Sequence, residues 1–161
     1  MDRLIDRRAV LGGGILALAG FAALRTPGTA VAARFSVEHT PQQWKALLGP
    51  QRYHILREAG TEHPFTSPLL DEHRKGTFVC AGCALPLFSS ATKFDSGTGW
   101  PSFFKALPNA TVARGDQNMF FGTEMLCSRC GGHLGHVFND GPKPTGLRYC
   151  IDGLALNFRG A

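Results

Sequence analysis

From Gly76 onward the apolar positions fall into short runs bounded by turn residues. Thr77–Cys80, Leu85–Ser89, Val112–Ala113, Met119–Leu126, His133–Phe138, Leu147–Asp152 and Leu154–Phe158 are rich in β-branched and aromatic side chains, and they predict strands. Upstream the pattern is helical. Thr40-Pro41-Gln42-Gln43 places Thr at an N-cap, Pro at the first helical position and Gln at the third. A short helix is predicted from Pro41 to Leu48, stopped by Gly49. A second, from about Gln51 to Ala59, turns Tyr53, Leu56 and Ile55 inward and stops at Gly60. Thr61–Lys75 carries Pro64 and Pro68 and reads as an irregular arm with at most one short turn. The chain shows no internal repeat, heptad or low-complexity tract. It predicts a mainly β fold, one compact antiparallel domain with short N-terminal helices.

The first 33 residues have a different character. Arg7-Arg8 lies in a basic start, an apolar run extends from Ala9 to Leu24, and Ala30-Val31-Ala32-Ala33 closes the segment. This is the layout of an export signal, and the arginine pair resembles a twin-arginine leader. The apolar run, of about 16 residues, is short for a stable membrane span. The expected organisation is therefore an export signal over 1–33, cut after Ala32 or Ala33, and a domain over 34–161. The mature protein is expected in the periplasm, touching the membrane only during export. The alternative is a membrane anchor formed by the uncut signal. A twin-arginine route implies export of folded protein, with any metal loaded beforehand. The formal charge is +5, of which +2 belongs to this leader. The remainder has no dense Lys/Arg run, so the charge points to solubility and not to nucleic-acid binding.

Four of the five cysteines form two Cys-x-x-Cys pairs, Cys80/Cys83 and Cys127/Cys130. Such pairs can place four thiolates around one zinc ion in a closed, structural site that joins two hairpins. Disulfides or redox pairs are the competing readings, although neither pair opens a helical pattern. Cys150 is left over. Leu147, Tyr149 and Ile151 alternate around it, so Arg148, Cys150 and Asp152 share the opposite strand face. The guanidinium favours the thiolate, and the carboxylate opposes it unless Arg148 neutralises it or Asp152 is protonated. Cys150 is thus either a nucleophile or a half-buried core cysteine. His133 and His136 point to opposite faces of an extended segment unless Gly135 bends it, and at least one suits proton transfer. The glycine-rich loop from Phe94 to Phe104 holds Trp100 between Gly99 and Pro101, where its indole could wall a small apolar group.

Several segments, in order, resemble the B-type methionine sulfoxide reductases. They are Leu56-Arg57-Glu58-Ala59-Gly60-Thr61-Glu62, Leu87-Phe88-Ser89-Ser90, Lys93-Phe94-Asp95-Ser96-Gly97, Gly99-Trp100-Pro101-Ser102-Phe103, Cys130-Gly131-Gly132-His133-Leu134-Gly135-His136-Val137-Phe138 and Gly146-Leu147-Arg148-Tyr149-Cys150. The resemblance implies two antiparallel β-sheets and reduction of the R epimer of methionine sulfoxide, in exported proteins, with the free amino acid as a further candidate substrate. It implies Cys150 as nucleophile, His133 and His136 beside the sulfoxide, and Trp100 against the substrate methyl. Phe138, Arg148 and Asp152 complete the implied substrate site. One structural Zn²⁺ on Cys80, Cys83, Cys127 and Cys130, a thioredoxin-like reductant and a monomeric state are also expected. Two positions depart from the family pattern. Thr98 stands where many members carry a resolving cysteine, and Asp152 stands where Asn is usual. The first implies a one-cysteine cycle and the second a more pH-sensitive activity. The rival readings are a zinc-ribbon binding module and an exported zinc-dependent structural or chaperone-like protein.

Overall fold

A computed structural model describes residues 35–118 and 122–161. The predicted export segment over 1–33 therefore lies wholly outside the described residues, as do Met119–Phe121 of one predicted strand. Among the described residues no helix is long and apolar enough to cross a membrane.

Helix α1 (Pro41–Glu58) opens on the predicted capping box. The Gln43 N–H donates to Thr40 Oγ1 at 3.3 Å, and the Thr40 N–H donates to Gln43 Oε1 at 2.8 Å. These two bonds satisfy donors that a bare helix start leaves free. Gly49 divides the helix with a non-helical φ of 69°, a value that suits a residue without Cβ. The two predicted helices are thus two segments joined by a kink. Trp44, Ile55 and Leu56 face the core, whereas Tyr53 is only half-buried.

Nine strands follow among the described residues: β1 (Gly76–Cys80), β2 (Pro86–Ser89), β3 (Lys93–Phe94), β4 (Ser102–Phe103), β5 (Thr111–Asn118), β6 (Gly122–Cys127), β7 (His133–Phe138), β8 (Arg148–Ile151) and β9 (Leu156–Gly160). They form two sheets, ordered β2-β1-β9 and β3-β4-β8-β7-β6-β5, with every pairing antiparallel. The glycine-rich loop is held by β3 and β4, two-residue strands too short to show a period of two. The predicted last strand starts later than Leu154, because Gly153–Ala155 form a 3-10 turn. Phe78 and Phe88 of the first sheet meet Phe103 of the second. The Phe88 and Phe103 rings stack at 4.4 Å, and the Phe78 ring approaches Phe103 edge-on at 4.9 Å. Leu134 and Ile151 extend this core toward Ile55 and Leu56 of α1. Full burial of each such side chain contributes roughly 1.5–3 kcal/mol. Ile151 is buried there, so its neighbour Cys150 is turned to the opposite side of the sheet.

Candidate active site and metal centre

The two Cys-x-x-Cys turns share one backbone design. At the end of β1 the Ala84 N–H donates to the Cys80 carbonyl at 2.8 Å, and the Cys80 N–H donates to the Leu85 carbonyl at 2.8 Å. At the end of β6 the Gly131 N–H donates to the Cys127 carbonyl at 2.9 Å, and the Cys127 N–H donates to the Gly132 carbonyl at 2.8 Å. The residue after the second cysteine is left-handed in both, with φ of 58° at Ala84 and 67° at Gly131. The turns bring Cys80 Sγ to 3.7 Å from Cys130 Sγ and Cys83 Sγ to 3.5 Å from Cys127 Sγ. All four sulfurs lie within 4.8 Å of one another and none is in a disulfide. A tetrahedral ion with bonds of about 2.3 Å needs sulfurs about 3.8 Å apart. Hydrogen bonds donated by Cys130 and Cys80 hold the Cys127 thiol well below its ordinary range, while donating to Cys127 and Cys130 pushes Cys80 up. A divalent cation removes that competition by favouring four thiolates at once. The donor set can therefore hold one metal ion, with one pair of ligands from each sheet.

Cys150 lies apart from this cluster. On β8 it faces Ser102 across the β4 ladder and His136 across the β7 ladder. It is a free thiol and half-buried. It opens onto a cavity of about 160 Å³ whose walls include Trp100, Gly135, His136, Phe138 and Asp152. A larger cavity of about 370 Å³, lined by Arg52, Glu62, Ser67, Leu154 and Phe158 among others, holds no thiol or imidazole.

Gly135 resolves the question of which way the histidines face. Its φ of 136° bends β7, and a Cβ there would collide with the Cys150 carbonyl oxygen. The β6–β7 register also shifts at Leu134, between the His133 and Gly135 pairings, and the His133 and His136 rings lie 5.5 Å apart. His136 is half-buried, and burial together with the neighbouring His133 lowers its pKa, which keeps it neutral near pH 7. His133 Nδ1 lies 2.7 Å from Glu124 Oε1. Burial opposes ionisation of Glu124, but hydrogen bonds from Arg114 and His133 hold its pKa below the usual range. Its carboxylate therefore accepts, and Nδ1 is the protonated nitrogen of His133. The opposite nitrogen, Nε2, is buried without a hydrogen-bond partner among the described residues and lies 3.8 Å from Asp152 Oδ2.

Asp152 is 3% exposed, and burial pushes its carboxyl up to about 7. The Glu62 N–H, donating to Oδ1 at 2.9 Å, works against that rise, and the Glu62 charge adds to it. Glu62 also fixes the surroundings. Its carboxylate accepts the Gly153 and Leu154 N–H groups, and its carbonyl accepts the Trp100 indole N–H at 3.2 Å. Arg148 does not pair with Asp152. It forms a two-point bond with Asp140, at 2.8 Å for each contact, and its guanidinium lies 4.3 Å from the Phe138 ring centre. Asp152 is thus left to its own protonation. Burial pushes the Cys150 thiol up, the Thr98 hydroxyl and Arg148 charge lower it, and Asp152 raises it further.

The SelR domain matches residues 48–160. A protein of Thiobacillus denitrificans is 57% identical over 122 residues, covering 74% of this chain and 92% of that protein. One from Methanosarcina barkeri is 50% identical over 129 residues, covering 79% and 91%. A third, from Leptospira interrogans, is 50% identical over 127 residues, covering 78% and 97%. All three carry the name peptide methionine sulfoxide reductase MsrB. The chain belongs to the MsrB family.

Within this MsrB domain the residues singled out by sequence fall in three places. Cys150, His136, Trp100, Phe138 and Asp152 share one cavity, with His133 behind it against Asp152. Arg148 lines a neighbouring depression with Thr98, Asp95 and Asp140. Cys80, Cys83, Cys127 and Cys130 form the separate sulfur cluster. Sequence reasoning did not single out Glu62, Glu124 or Asp140 as partners of the site. Each reaches its partner through strand register or a loop crossing, and no local spacing signals that.

Proposed function

We propose that this chain reduces the R epimer of methionine sulfoxide to methionine, with Cys150 as nucleophile. The observation that carries the reading is the placement of one unbonded thiol on a small cavity, opposite a neutral histidine and beside a fixed indole, while the other four thiols are gathered elsewhere. A cavity of about 160 Å³ accommodates the end of a methionine side chain and leaves the backbone outside. That suits oxidised methionines on a protein surface, and free methionine sulfoxide can enter the same space. Trp100 and Phe138 supply apolar walls for the methyl group, and Arg148 steadies the rim.

His136 takes the Cys150 proton across the β7–β8 ladder, assisted by the Arg148 charge. The thiolate attacks the sulfoxide sulfur while the imidazolium returns the proton to the sulfoxide oxygen. The S–O bond of the substrate breaks as the hydroxyl passes to Cys150, leaving methionine and a cysteine sulfenic acid. The substrate sulfur gains two electrons and the cysteine sulfur loses two. His133, oriented by Glu124, backs His136 and faces Asp152. Position 98 offers a hydroxyl in place of a second thiol, so an external thioredoxin-like dithiol reduces the sulfenic acid, releasing water and forming its own disulfide.

Zinc on Cys80, Cys83, Cys127 and Cys130 supplies structure and no chemistry, because four thiolates leave no open position for substrate. The proposal includes the export address over 1–33, a periplasmic domain over 34–161 and a monomeric enzyme. An assay with both epimers and a dithiol reductant tests the function. The R sulfoxide is consumed with formation of methionine and the S sulfoxide persists; turnover of S alone, or of neither, contradicts the reading.

Asp152 gives a separate prediction. Below pH 7 its neutral carboxyl can donate a hydrogen bond, as an asparagine amide does. Above pH 7 it is an acceptor-only carboxylate that opposes the Cys150 thiolate. The ratio of Asp152→Asn to wild-type kcat/KM therefore rises between pH 6 and pH 8, by up to about tenfold. The native domain holds a proton that the unfolded chain releases, so wild-type stability falls relative to the variant from about pH 4 to about pH 7, where the carboxyl titrates. A ratio that is flat with pH contradicts this role.

A further inference from the structure

Cys150 meets a connected set of hydroxyls and not isolated ones. Thr98 Oγ1 lies 3.7 Å from Cys150 Sγ, and Ser96 Oγ lies 2.8 Å from Thr98 Oγ1. Ser102 Oγ lies 2.7 Å from Ser96 Oγ and donates to the Trp100 carbonyl at 3.1 Å. Ser102 is 1% exposed, and Ser96 and Thr98 are half-buried. The set starts at the nucleophile and ends on a carbonyl oxygen, which can only accept.

Each hydroxyl has one proton to give. If Ser102 gives its proton to the Trp100 carbonyl, Ser96 must donate to Ser102 and Thr98 must donate to Ser96. Thr98 then has only lone pairs for Cys150, so the fourth contact is made by a Cys150 S–H. In that order every contact is satisfied and the sulfur is a neutral thiol. In the opposite order Thr98 donates to the sulfur, Ser96 to Thr98 and Ser102 to Ser96, while the Trp100 carbonyl gives up its donor. That order is satisfied only by a sulfur that accepts, which means the thiolate. Ser102 is also the cross-strand partner of Cys150, which places the far end of the set beside the strand that carries the sulfur.

We propose that Thr98, Ser96 and Ser102 are positioning residues that act as one reversible hydrogen-bond chain, aimed away from Cys150 in the thiol and toward it in the thiolate. The proposal rests on the reading of Cys150 as nucleophile. It gives the glycine-rich loop a task beyond holding Trp100, and it makes position 98 a donor to the thiolate. Burial pushes the Cys150 thiol up, and the Thr98 and Ser102 hydroxyls lower it. The charged and titratable groups that face the sulfur are Arg148 from its own strand, held by Asp140; Asp152 just beyond the strand; and His136 from β7. None of them is altered by exchanging the hydroxyls.

The test is the pH dependence of Cys150 alkylation by iodoacetamide, read by mass spectrometry on the Cys150 peptide of the zinc-loaded domain. Thr98→Val keeps the side-chain shape and removes the donor; it is expected to raise the midpoint by about one unit, leaving about one tenth of the thiolate near neutral pH. Ser96→Ala leaves Thr98 in place and breaks the chain behind it, and a smaller rise in the same direction is expected. Thr98→Ser restores the wild-type midpoint. Midpoints within about 0.2 units of wild type in both Thr98→Val and Ser96→Ala overturn the proposal, since a tenfold loss of thiolate corresponds to a full unit. A shift in Thr98→Val with none in Ser96→Ala also overturns it, because Thr98 then acts as a lone donor. If Thr98→Val does not fold, Ser96→Ala alone decides. Loss of sulfoxide turnover in Cys150→Ser alongside unshifted hydroxyl variants removes the chain alone, whereas full turnover in Cys150→Ser removes the reading beneath it.

Discussion

Cys150→Ser loses sulfoxide reduction almost completely, with kcat/KM falling by more than about a thousandfold, while the domain stays folded. Two differences between sulfur and oxygen produce this. A serine hydroxyl does not ionise near neutral pH, so His136 and Arg148 cannot give it the anionic form that a thiol reaches. The oxygen also cannot accept the sulfoxide's hydroxyl to give a species that a dithiol would reduce. The structural cost is small because Cys150 is half-buried and faces the cavity, while its neighbour Ile151 carries the packing. A change in stability of under about 1 kcal/mol is expected. Steady-state turnover with R sulfoxide, measured beside a thermal melt, separates the two effects. Turnover above one tenth of wild type contradicts the nucleophile assignment.

Loss of the proposed metal has the opposite signature. Cys127→Ser, or a chelator strong enough to strip the ion, is expected to unfold much of the domain, since a structural zinc site contributes on the order of 10 kcal/mol in apparent binding. The reason lies in where the ligands sit. Cys80 ends β1 in one sheet, Cys127 ends β6 in the other, and both are fully buried. Four thiols gathered within 4.8 Å cannot all ionise without a cation among them, because the like charges repel. Circular dichroism and metal analysis provide the check. A Cys127→Ser protein that melts like wild type contradicts a structural ion. The same account, joined to the proposed export of folded protein, predicts mature periplasmic protein with one zinc and no disulfide. Two disulfides and no zinc in that protein contradict the proposed order of loading and export.

The parts of this domain that could be read from sequence are those with local signals. Short turn-bounded runs of apolar residues located β1, β2 and β7, alternation located β8, the Thr40-to-Gln43 spacing located the start of α1, and the paired spacing of four cysteines located the sulfur cluster. Cys150 stood out by being unpaired. Strands β3 and β4 were not legible, because two residues cannot display a period. The facing of His133 depended on Gly135, whose φ of 136° is a property of close approach to β8 and not of the local pattern. The partner of Arg148 was not legible either. Sequence alternation placed Asp152 on the same strand face, but β8 ends at Ile151 and the Glu62 N–H captures the Asp152 carboxyl. Arg148 instead reaches Asp140, from the chain between β7 and β8. Glu124 stands opposite His136 in the β6–β7 register, yet its carboxylate meets His133. Cross-strand register of this kind comes from the packed sheet, whereas sequence spacing reports only one strand at a time.

The central claim is that the sulfoxide oxygen passes to the sulfur of Cys150. One equivalent of R methionine sulfoxide added to zinc-loaded protein without reductant, followed by dimedone and peptide mass spectrometry, tests it most directly. The account predicts one methionine formed per protein and one dimedone adduct, located at Cys150, with Cys80, Cys83, Cys127 and Cys130 unmodified. Methionine formed while Cys150 remains a free thiol, or an adduct located on one of the four clustered cysteines, contradicts it.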